Sequence, residues 1–74
     1  MKDAKRGAAV RMIENAYVRA APSAGSVALG VAKRGGELPY AGRMTPEGWL
    51  MVRYFGVVGW VSSKFSFVVL DGDV

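Results

Sequence analysis

The chain has 74 residues, 51% of them hydrophobic, with ten basic and six acidic side chains and a formal net charge of +4. That length allows one domain, and a domain this small buries only about 60% of the surface that its unfolded chain exposes. Cysteine and histidine are absent from the sequence, which excludes a disulfide or a Cys/His zinc staple and leaves aliphatic and aromatic packing to hold the fold.

The positive charge suits a polyanionic partner, whether nucleic acid, a cell-wall polymer or lipid, and serves plain solubility equally well. No apolar run approaches the roughly 20 residues of a membrane-spanning helix. Residues 1–7 are small or charged and are expected to form a disordered lead-in, with Lys2, Lys5 and Arg6 either solvated or touching an anion, the solvated tail being favoured. No apolar stretch follows them, so no signal peptide is expected there.

From Ala8 the pattern becomes that of short strands. Val10 and Met12 share one face and Arg11 and Ile13 the other, a period of two that predicts a first strand over Ala8–Ile13. Glu14-Asn15 turns the chain into a second extended piece, Ala16–Arg19. Ala20–Ser26 reads as a loop, because Pro22 pushes Ala21 out of the helical region and small or polar residues follow. Val27–Ala32 is a third strand with Val27, Leu29 and Val31 on one face. Lys33-Arg34-Gly35-Gly36 is a turn, and Glu37–Gly42 a fourth strand. Pro39 cannot donate to a ladder, so this strand is expected at a sheet edge or with that position facing out.

After a polar loop, Arg43–Gly48, come two apolar runs around Phe55-Gly56, which predict a β-hairpin. Leu50, Val52 and Tyr54 fall on one face of its first strand, and Trp49, Met51 and Arg53 on the other. Leu50, Val52, Val58 and Val61 are expected to close the core. Ser62-Ser63-Lys64 is a short turn, Phe65–Leu70 a last strand, and residues 71–74 a frayed tail. The prediction is an all-β protein, a small, partly open barrel of five to seven short strands with almost no helix.

Four motifs carry a family resemblance, in order along residues 8–68: Ala16-Tyr17-Val18-Arg19-Ala20-Ala21-Pro22-Ser23, Val27–Gly35, Gly48-Trp49-Leu50-Met51-Val52-Arg53-Tyr54, and Gly59-Trp60-Val61-Ser62-Ser63-Lys64-Phe65. Together they resemble the bacterial SH3 domain (SH3b, or SH3 type 3), which would span residues 8–70. The resemblance implies an SH3-like barrel acting as a non-catalytic cell-wall-targeting module, attached to a peptidoglycan hydrolase such as an autolysin or phage endolysin. It therefore also implies an extracellular, wall-associated setting. The style of Leu38-Pro39-Tyr40 and Gly48-Trp49 is most similar to the terminal module of a Gram-positive N-acetylmuramoyl-L-alanine amidase. Two departures stand out. Ala16-Tyr17 replaces the family's usual Leu-Asn, and Phe55-Gly56 replaces its usual Asn-Gly at the hairpin turn, where phenylalanine is less comfortable at positive φ.

The residues themselves favour binding over catalysis. Without histidine or cysteine, a serine nucleophile has only lysine as a base, and Ser62-Ser63-Lys64 reads most simply as a turn. The acids form no metal-ligand cluster, and no cofactor is expected. The aromatics are plentiful for so small a chain. We place a shallow ligand groove between the 16–26 and 43–49 segments, lined by Tyr17, Arg19, Tyr40, Trp49 and Arg53. Trp60, Tyr54 and Phe65 are assigned to barrel packing. Arg19 and Arg53 serve either as ligand contacts or as plain surface charges, and Tyr40 as groove or as core. Three other readings remain open. One is a nucleic-acid-binding barrel. Another is a proline-rich-peptide SH3, although residues 20–26 carry no charge for Arg-containing ligands. The third is a self-association module built on Phe55 and Val57.

Overall fold

The computed structural model describes residues 8–70. Seven strands fill most of that span: β1 (Ala8–Met12), β2 (Ala16–Arg19), β3 (Ala28–Ala32), β4 (Glu37–Met44), β5 (Trp49–Tyr54), β6 (Val57–Ser62) and β7 (Ser66–Leu70). No helix occurs among the described residues. All pairings are antiparallel, in the order β3-β2-β6-β5-β4-β1-β7.

β4 bends this sheet into a barrel. Its first half pairs with β1, down to Ala9 opposite Pro39, and its second half pairs with β5, from Tyr40 opposite Val52. The register shifts between Tyr40 and Met44, where Gly42 takes φ +89°, a conformation that glycine adopts without steric penalty. The curl brings Val10 and Met12 of β1, Val18 of β2, Ala32 of β3, Leu50 and Val52 of β5 and Val61 of β6 into one core. Ala16, Leu38, Tyr40, Tyr54 and Val68 pack around it. The period-two alternation explains which side chains enter, since Arg11 between Val10 and Met12 points to solvent.

Ser66 is the buried polar residue at the start of β7, and its hydroxyl donates to the Ser62 carbonyl at 2.8 Å. It therefore enters the core without an unpaired donor. The Lys33–Gly36 turn is tied down as well. Gly35 donates its N–H to the Met12 carbonyl, Met12 donates to Gly36, and Asn15 Oδ1 accepts the Arg34 N–H at 2.8 Å.

Two expectations, on Val58 and Phe65, need correction. Pro39 faces outward on an internal strand, at the point where β4 changes partner. Val27, just before β3, and Leu29 and Val31 on it share the exposed face, while Gly30 and Ala32 face inward. The reason is space: a side chain at Gly30 would run into the Tyr54 ring. Val58 does not close the core, being 42% exposed, because Gly59 and Val61 take the inward positions of β6. Phe65 is 41% exposed and belongs to the surface, since Ser66 rather than Phe65 begins the inward alternation of β7. The expected fraying of residues 71–74 and disorder of residues 1–7 lie outside the described residues.

Candidate functional site

Three segments meet beside the barrel to form an open groove of about 590 Å³. The first is β2 and the loop after it. Tyr17 and Arg19 flank the buried Val18 and so project from the same outward face. Arg19 Cζ lies 4.9 Å from the centre of the Tyr17 ring, and its Nη1 donates to the Ser26 carbonyl at 2.9 Å. The Ser26 hydroxyl in turn lies 2.9 Å from the Ala21 carbonyl and 3.3 Å from the Ala21 N–H. The 20–26 loop is therefore held closed from inside.

The second segment is the turn before β5. Thr45 Oγ1 accepts the Trp49 N–H at 3.0 Å, the Thr45 N–H donates to the Trp49 carbonyl, and the Gly48 N–H donates to Thr45. Gly48 has φ +96°, and a Cβ there would stand 2.7 Å from Ser63 Oγ, so glycine meets both demands at once. This sets Trp49 at the mouth of the groove with Glu47 beside it.

The third segment is the 62–65 turn. The hairpin register places Ser62 opposite Trp49, and the Ser63 N–H donates to the Gly48 carbonyl at 2.8 Å. The two turns are thus stitched together, and Lys64 and Phe65 complete the wall. Ser62 Oγ accepts the backbone N–H of Lys64 at 3.1 Å, a turn contact and not a nucleophile poised beside an amine. The groove therefore presents aromatic rings from Tyr17, Trp49 and Phe65, two cations from Arg19 and Lys64, and one carboxylate from Glu47. Among the described residues no ion pair joins Glu47 to Lys64, and no group of three potential metal ligands occurs.

Of the five residues assigned to a groove from the sequence, Tyr17, Arg19 and Trp49 come together there. Tyr40 does not, because its side chain follows Val52 inward and packs on the core. Arg53 is exposed but lies opposite Val58, toward the far end of the hairpin. Glu47, Lys64 and Phe65 were missed. Counting rungs outward from Phe55-Gly56 pairs Trp49 with Ser62, so the hairpin pattern already contained the signal that brings the 62–65 turn beside Trp49.

A small antiparallel barrel of seven strands with a groove of exposed aromatics beside it has an SH3-like build. Residues 14–66 match the family model described as bacterial SH3 domain, and the chain belongs to that family. Its members are generally non-catalytic and typically bind cell walls. Neither a curated protein nor a solved structure matches the chain.

Proposed function

We propose that this domain is a cell-wall-targeting module that recognises the peptide of peptidoglycan or an anionic polymer attached to it. The observation that carries this reading is the convergence of Tyr17, Trp49 and Phe65 with Arg19 and Lys64 in one groove. Aromatic faces pack on sugar rings and peptide backbones, and aromatics and arginine supply most hot-spot energy at binding surfaces. Arg19 and Lys64 provide the attraction to a carboxylate or phosphate group. The parent protein in this reading is a cell-wall hydrolase, such as an N-acetylmuramoyl-L-alanine amidase or an endolysin. The domain holds the catalytic partner on its polymer, outside the cell.

The experiment is co-sedimentation of the 74-residue chain with purified sacculi from a panel of Gram-positive species, with and without their teichoic acids. Retention on stripped sacculi assigns the peptidoglycan peptide. Retention lost on stripping, and weakened by salt, assigns the anionic polymer. No retention on any sacculus overturns the proposal.

A further inference from the structure

The sheet has two free edges among the described residues, β3 and β7, and they differ. On β3 the pairing steps from Val18–Gly30 to Arg19–Ala28, which leaves Leu29 as an extra residue, a bulge. Bulges are a common protection of edge strands against further pairing. β7 has no such device. It runs in unbroken register with β1 over five rungs, from Ala8–Leu70 to Met12–Ser66. Its sequence, Ser66-Phe67-Val68-Val69-Leu70, has no charge and no proline. Phe67 is 44% and Leu70 80% exposed. A regular, uncharged, apolar edge is the kind that recruits another strand.

We propose that β7 pairs with β7 of a second copy of this chain, antiparallel about a two-fold axis at Val68. The strand is complementary to itself in that arrangement. Phe67 stands opposite Val69 of the second copy, and the axis repeats the pair, an aromatic against a β-branched residue both times. The existing register extends these pairs into two rows. Glu37, Arg11 and Phe67 form one, and Pro39, Ala9 and Val69 the other. In the dimer each row joins the other at the seam. Among the described residues the charges nearest the axis are then Arg11 and Glu37, already paired at 2.6 Å, so no like charges of these residues meet at the seam. The seam is one strand pair wide, which makes the dimer weak and concentration-dependent. Its effect is to present two grooves on one particle, which raises retention on a repeating polymer by avidity.

Sedimentation velocity tests this on the full chain. Between about 10 µM and about 1 mM, the range for so small an interface, the sedimentation coefficient is expected to rise from monomer to dimer. The double variant Phe67→Lys, Val69→Lys places lysines opposite lysines at the seam and is expected to move the midpoint by at least tenfold. Thermal unfolding checks that this variant is folded. If it is not, hydrogen exchange on the unaltered chain replaces it, with the β7 amides expected to gain protection as the dimer forms. A monomer throughout the range overturns the proposal, as does β7 protection that is independent of concentration. So does loss of the dimer in Phe55→Ser or Val31→Lys, which would move the contact to the hairpin tip or the β3 edge.

Discussion

The guanidinium of Arg19 lies across the ring of Tyr17, 4.9 Å from its centre, and donates to the Ser26 carbonyl on the far side of the loop. One side chain therefore fixes both the aromatic wall of the groove and the loop that frames it. Arg19→Lys keeps the charge but loses the planar fork that makes both contacts. A hydrogen bond from a charged group contributes about 1.5–3 kcal/mol when well shielded, and this one is part-buried, so a loss of about 1 kcal/mol is expected. Urea unfolding reads that loss, and sacculus retention should fall with it. An unchanged midpoint in urea would show that the loop holds itself.

Trp49→Ala and Phe65→Ala should each weaken retention on sacculi by at least ~30-fold if these rings act as hot spots worth about 2 kcal/mol. Trp49 is half-buried and Phe65 41% exposed, both outside the buried core, so the unfolding midpoint should move little. Arg53→Ala is the contrast. It is exposed but lies outside the groove, and retention should stay as it is. Equal losses for all three variants would remove the groove as the site.

Phe55 has φ +49° and Gly56 φ +85°, the positive pair that a two-residue type I′ hairpin turn requires. A non-glycine residue in this region costs about 1–2 kcal/mol, and asparagine tolerates it best. Phe55 is 91% exposed, and its one aromatic contact is an edge-on approach to Tyr54 at 4.8 Å. Relief of the backbone should outweigh that contact. Phe55→Asn is expected to stabilise the domain by about 0.5 kcal/mol, a rise in Tm of a few degrees. A lower Tm would mean that the Tyr54 contact governs the turn.

Gly59 is buried opposite Val52, and a Cβ there would run into Val18 Cγ1. Overpacking of this kind costs about 1–3 kcal/mol. Gly59→Ala is therefore expected to lower the urea midpoint. Gly25→Ala, whose Cβ would enter open space, should leave the midpoint nearly unchanged. Equal effects would mean that β6 can shift away from Val18.

Much of the fold was legible because strand patterns are local. Val10 and Met12 around Arg11, or Leu50 and Val52 around Met51, declare an inward and an outward face without any knowledge of partners. The Phe55-Gly56 turn fixes six rungs of pairing by itself. The groove was half legible. Tyr17, Arg19 and Trp49 carry their outward direction in the same alternation, and they line one groove. Tyr40 and Arg53 failed because alternation says which face a residue takes but not where along the curled sheet that face ends up.

The hairpin of Trp49–Ser62, the seven strands and the inward set around Leu50 and Val52 follow from side-chain period and turn chemistry, which the amino-acid order carries directly. Tertiary structure decided the rest. The pairing of β4 with both β1 and β5 left Pro39 on an internal strand. The Tyr54 ring turned Gly30 inward and Val31 outward. The pairing of β2 with β6 brought Tyr17 and Arg19 to the side of Trp49 and Phe65. Each of these depends on which atoms compete for one volume, and that competition exists only once distant segments are packed against each other.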